Sequence, residues 1–241
     1  MGEPGRPGTR LGAVTLGLAV TLLAAACVPL APSPYATPTP SPAPAIDASS
    51  VDGFTPAERV ALRVWATTCS SYRNGTAWML DEAHAVTNRH VVEDTTTIEL
   101  TDYQGNRYTG AAASYSNDDD LAIVTIDGEF PEMATIAAEE PRIGDTLTVS
   151  GYGEGGPLTS MEGPYVELRE NDLDPDGAHV YFIEVQAREG HSGSPVTDAA
   201  GDVVGVLFSS DGETHAGAVT LPRLQELLGD DADLTEVDAS C

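Results

Sequence analysis

No lysine occurs in this 241-residue chain. Its 11 basic side chains are all arginine and face 38 aspartates and glutamates, for a net charge of −27. Without a basic footprint the chain is not a nucleic-acid binder, and its charge keeps it soluble and repels it from anionic surfaces. Cysteine is scarce at three residues, and aromatics make up only 6%. His84, His179, His191 and His215 lack zinc-ligand spacing, so neither a metal nor a cofactor is expected. No internal repeat occurs. What the chain does have is 24 glycines and 17 prolines. Such frequent turn formers favour β structure over helix bundles.

One uncharged run stands out, Leu11 to Ala26, after Arg6 and Arg10. A basic start, an apolar middle and the small residues of "LLAAAC" fit an export signal over residues 1–26 better than a spanning helix. Cys27 after three alanines resembles the lipid-attachment box of bacterial lipoproteins, with ordinary cleavage or an uncleaved anchor as the other readings. The expected location is therefore the outer face of the cell membrane, held by lipid alone, or the secreted fraction. Residues 27–54 then form an anchor and a proline-rich tether, "VPLAPSPYATPTPSPAPA", extended and without a core. The two remaining cysteines, Cys69 and Cys241, can pair in an unreduced compartment. That bridge would pin the tail to the start of a domain spanning 55–241.

From Thr55 the pattern changes. "TPAERV" places Thr55 as an N-cap with Pro56 and Glu58 in the positions of a capping box, which predicts a short helical turn. Short β-prone stretches follow, among them "TAWML", "TIELTD", "LAIVTI", "TLTVSGY", "HVYFIEV" and "VVGVLFSS", separated by "DGE", "GEGG" and "DPDG". Many short strands at close spacing predict an all-β sandwich or barrel. "LPRLQELL" predicts one helix near the end, with Pro222 at its start and Gly229 after it.

Three motifs carry chemistry. "TNRHVV" presents His90 after a strand-like run, although a lone histidine is more often structural. "NDDDLAIV" sets Asp120 against an apolar strand, where a carboxylate pulled inward needs a partner such as an imidazole N–H; a solvated turn is the bland alternative. "REGHSGSP" sets Ser192 among glycines. A serine hydroxyl is a poor nucleophile until a base takes its proton, and the N–H groups of Gly190 and Ser192 can face a developing oxyanion. The esterase elbow G-x-S-x-G needs its acid and histidine after the serine, and here only His215 follows.

Together, "TNRHVV", "DLAIV" and "GHSGSP" resemble the trypsin-like (chymotrypsin-fold) serine proteases, in particular their compact bacterial secreted branch, over about Val60 to Leu228. The resemblance implies two six-stranded antiparallel β-barrels with a short C-terminal helix and the site between the barrels. It implies a serine endopeptidase acting on protein or peptide substrates through an acyl-enzyme. His90 would be the base, Asp120 its orienting carboxylate, Ser192 the nucleophile, and the Gly190 and Ser192 N–H groups the oxyanion hole. Alignment on Ser192 puts Gln186 at the base of the specificity pocket, with Ala187, Glu189, Ser209 and Ser210 lining the pocket and substrate groove. His191 departs from the aspartate of the digestive members, so a zymogen switch through that residue is not expected. The alternative is a catalytically silent module of the same fold that holds peptides or a cell-envelope partner.

"DLDPDG", Asp172 to Gly177, matches the first half of a calcium loop. Ile183 stands where the loop's twelfth-position acid belongs, and a hairpin turn accounts for the stretch more simply.

Overall fold

The computed structural model describes residues 52–171 and 178–241. The export segment, Cys27, most of the proline-rich tether and the calcium-like stretch lie outside the described residues.

The chain enters through helix α1 (Pro56–Val60). Its capping box is complete: Thr55 accepts from the Glu58 N–H, and the Glu58 carboxylate accepts from the Thr55 N–H at 2.8 Å. Such a cap is worth about 1 kcal/mol. Thirteen strands follow among the described residues. The first six are β1 (Ala61–Thr68), β2 (Tyr72–Met79), β3 (His84–Thr87), β4 (Thr95–Thr101), β5 (Arg107–Ser116) and β6 (Ala122–Asp127), with the single-turn helix α2 (Arg89–Val92) between β3 and β4.

These six strands close into an antiparallel barrel, running β1-β2-β3-β6-β5-β4 and back to β1. Period-two burial shows why they do so. Ala122, Val124 and Ile126 of β6 are buried, as are Ile98 and Leu100 of β4, while Glu99 between them is exposed. Trp78, Leu62 and Val64 complete their core and are fully buried.

A second closed barrel takes β7 (Thr146–Gly151), β8 (Thr159–Arg169), β9 (Val180–Ile183), β10 (Pro195–Thr197), β11 (Val203–Ser210) and β12 (Ala216–Thr220) in the order β10-β11-β12-β9-β8-β7. Its core gathers Leu147, Val149, Tyr181, Ile183, Val196 and Leu207. Helix α3 (Leu221–Leu227) follows, burying Leu221, Leu224 and Leu227. The last strand, β13 (Leu234–Glu236), pairs with Ser114–Ser116 of β5, an edge left open because β4 pairs with β5 only as far as Thr109. Beyond it Cys241 is disulfide-bonded to Cys69 at the end of β1, with 5.7 Å between their Cα atoms.

The two barrels share packing. Val206, Phe208 and Val219 of the second barrel and Leu224 of α3 join the core cluster of the first. That shared seam holds the chemically interesting side chains.

Candidate active site

His90 and Asp120 come from the first barrel. His90 lies on α2, directly after β3, and Asp120 lies in the turn that leads into β6. The ring Nδ1 of His90 stands 2.6 Å from Asp120 Oδ2, and the His90 backbone N–H donates to Asp120 Oδ1 at 2.9 Å. A carboxylate only accepts, so Nδ1 carries a proton toward Asp120. The Asp120 side chain is 26% exposed, half-buried rather than sealed away.

Two further contacts brace this pair, and neither is visible in the motifs. Asn88, fully buried, donates its side-chain N–H to the Asp120 carbonyl at 2.7 Å. The neighbouring Asp119 is paired with Arg223 of α3 at 2.7 Å. Burial raises the Asp119 pKa, and the Arg223 guanidinium opposes that rise.

Ser192 lies between β9 and β10 of the second barrel. Gly75 of β2 shows how near it comes to the histidine's helix. A Cβ on Gly75 would stand 2.8 Å from Val91 Cγ1, next to His90, and 3.3 Å from the Ser192 carbonyl oxygen. The structure thus brings all three motifs to one seam. Ser192 Oγ itself makes no hydrogen bond, either to His90 Nε2 or to any other described residue.

The backbone around Ser192 is tightly specified. Gly190 and Gly193 have φ of +90° and +86°, angles that side chains rarely tolerate. A Cβ on Gly193 would stand 2.0 Å from the Thr76 carbonyl. The His191, Gly193 and Ser194 N–H groups donate to Arg188, Leu207 and His191 carbonyls at 3.0, 2.8 and 2.9 Å. The N–H groups of Gly190 and Ser192 donate to no described residue. Unengaged donors on one loop, one of them on the serine itself, are what an oxyanion needs.

His191, in the position of the family's aspartate, is buried. Its Nδ1 accepts the Arg188 N–H at 3.1 Å, and Nε2 lies 3.3 Å from Thr159 Oγ1. Burial lowers its pKa, so the ring is neutral at neutral pH.

Two cavities flank the seam. One of about 560 Å³ is lined by His90, Asp118, Asp120, His179 and Phe208. The other, about 350 Å³, is lined by Phe182, Phe208, Ser209, Ser210 and Gly217. Phe208 belongs to both. Beyond Leu207, β11 has no strand among the described residues paired on its β10 side, so Phe208–Ser210 offers an open edge. Ala187 is fully buried, and its carbonyl accepts from Ser210 Oγ at 2.8 Å. Glu189 is exposed. Gln186 is exposed too, between the buried Val185 and Ala187.

Residues 75–206 match the family model of the trypsin-like peptidase domain. Serine protease Rv3671c of Mycobacterium tuberculosis is 30% identical over 169 residues, 64% of this chain and 41% of that protein. A probable periplasmic serine endoprotease, DegP-like, of Chlamydia trachomatis is 31% identical over 140 residues, 55% of this chain and 27% of that protein. The chain thus spans well under half the length of either. In three dimensions it resembles the crystal structure of the Rv3671c protease in its active form, with a TM-score of 0.67 at 24% identity, covering 77% of this chain and 86% of that one.

Proposed function

From the trypsin-like peptidase family, to which this chain belongs, we propose that it is an exported serine endopeptidase working through an acyl-enzyme on Ser192. What supports this reading is a carboxylate-held imidazole on the helix whose Val91 lies, with the Ser192 carbonyl, beside Gly75, together with two unengaged N–H groups on the serine loop.

Ser192 Oγ attacks the scissile carbonyl carbon while His90 Nε2 takes its proton. The oxyanion that forms is held by the Gly190 and Ser192 N–H groups. The C–N bond then breaks, and His90 returns the proton to the leaving amine. Water, deprotonated by the same imidazole, releases the acid and frees Ser192. Asp120 keeps the imidazole in the productive tautomer and stabilises its charged form. The hydroxyl–imidazole hydrogen bond absent from the free protein tightens when substrate excludes water, as is common in unliganded sites.

The substrate is a protein or peptide segment lying along the open edge of β11 at Phe208–Ser210, with Glu189 on the rim where the cleaved residue's side chain enters and Ala187 buried beneath it. Export is supported by the basic-then-apolar start of the chain. The Cys69–Cys241 bond suits an unreduced compartment. A lipid on Cys27 would leave the protease domain tethered to the outer face of the membrane by the proline-rich segment.

Digestion of a mixed peptide library tests this reading. The wild-type chain is expected to generate new N-termini with a consistent residue before the cut, and Ser192→Ala to generate none. A Ser192→Ala protein that cuts as fast as wild type would overturn it.

A further inference from the structure

The two N–H groups proposed to hold the oxyanion point usefully only if the peptide units around them cannot turn. A planar peptide turns its N–H and C=O together, so the carbonyls show what fixes the loop. On the side that carries each N–H, Glu189 C=O accepts from Glu154 N–H at 2.5 Å, and His191 C=O accepts from Ser194 N–H at 2.9 Å. On the other side of the same two residues, both contacts come from one residue of the opposite barrel. Gly190 C=O accepts from Thr76 Oγ1 at 2.8 Å, and Ser192 C=O accepts from Thr76 N–H at 2.8 Å.

Thr76 is fully buried on β2. Its hydroxyl also accepts the Tyr152 N–H at 3.0 Å, so it grips the segment from which Glu154 reaches Glu189. Its own carbonyl accepts from Thr87 Oγ1 at 2.7 Å, three residues before His90. Threonine hydroxyls commonly bond to backbone groups a few residues away in their own segment. This one is instead shared between two separate segments of the other barrel. Gly190, at φ +90°, is one of the loop's two glycines, which resist turning least, and its carbonyl is the one the hydroxyl holds.

We propose that the Thr76 hydroxyl is a positioning group for the oxyanion hole, holding the Gly190 carbonyl so that the Gly190 and Ser192 N–H groups converge on one point. This rests on the reading of Ser192 as the nucleophile. Thr76 touches no reacting atom. Its effect is on kcat, because the oxyanion exists only beyond the ground state.

The test compares Thr76→Val, which keeps the shape and removes the hydroxyl, with Thr76→Ser, which restores it. Thr76→Val is expected to lower kcat by roughly 10- to 100-fold, somewhat less than the loss of a donor itself, with KM within about threefold. Thr76→Ser is expected to remain within about threefold of wild type. Carbon NMR of a peptide trifluoromethyl ketone adduct adds a signature that loss of folding would not give: the hemiketal oxygen should take up its proton at higher pH in Thr76→Val. An unchanged kcat and hemiketal titration in Thr76→Val, or equal losses in both variants, would overturn the proposal. Should Thr76→Val not fold, Thr76→Ala is read in its place. If wild type neither hydrolyses peptides nor reacts at Ser192, it is the endopeptidase reading that falls. The clamp is then judged by the crystal structure of Thr76→Val, in which an unmoved Gly190–Ser192 backbone would contradict it and a turned Gly190 carbonyl would support it.

Discussion

Asp120 grips His90 twice, at the ring Nδ1 at 2.6 Å and at the backbone N–H at 2.9 Å. One carboxylate therefore sets both the tautomer of the imidazole and the place of the helix that carries it. Asn88, donating to the Asp120 carbonyl, fixes the same turn from the other side.

Asp120→Asn follows from that double contact. An amide can accept from the His90 N–H but presents an NH₂ to Nδ1, so the imidazole adopts the tautomer that cannot take the serine proton. The expected outcome is a fall in kcat/KM by about 10⁴ with the thermal midpoint changed by only a few degrees. Steady-state kinetics and calorimetry on the same preparation check both halves.

Acid stability is predicted to depend on Asp211, which ends the β11 edge. Its carboxylate accepts the His215, Glu213 and Thr214 N–H groups, and these hold its pKa down to about 2 from the ordinary 3.8. A carboxyl that is more acidic when folded stabilises the fold above its unfolded pKa and loses that contribution as pH falls through the folded value. The stability gap between wild type and Asp211→Asn should therefore be full above about pH 4 and close toward pH 2. Urea unfolding across that range would disprove this by giving a gap independent of pH.

His191 gives a second pH signature, at the nucleophile loop. Its pKa is lowered first by burial, with the Arg188 charge adding to the effect and the Arg188 backbone and Glu154 opposing it. The unfolded chain then takes up this proton first. The stability contributed by the neutral ring is complete above the unfolded value, 6.5, and is lost as pH falls through the folded one. His191→Asn keeps an acceptor for the Arg188 N–H and removes the titration. Its stability should fall less than that of wild type on acidification below about pH 6, as followed by hydrogen exchange at the Gly190–Ser194 amides.

The Cys69–Cys241 bond spans 172 residues of sequence, nearly the whole described chain, so it constrains the unfolded state strongly. Cys241→Ser is expected to cost about 2–5 kcal/mol and to leave kcat/KM unchanged at temperatures where the variant is folded. Loss of turnover without loss of stability would assign the bond a different role.

The sequence shows most of the barrel strands because their apolar residues are branched or aromatic and short. β5 and β12 escape such reading for a physical reason. β12 is "AGAVT", small side chains in a fully buried strand, and β5 runs through "TGAAAS", small residues mostly exposed or half-buried; neither carries a periodic apolar signal. The triad candidates are legible because each sits beside a strand in its own motif. Thr76 and Asn88 are not, since their meaning lies in partners 114 and 32 residues away.

The central claim, that Ser192 is an activated nucleophile, is tested most directly by intact-mass spectrometry after exposure to a fluorophosphonate. The account predicts one adduct per chain, mapped to Ser192, formed by wild type and absent from Ser192→Ala. An unmodified wild-type chain, or an adduct that persists in Ser192→Ala, would contradict it.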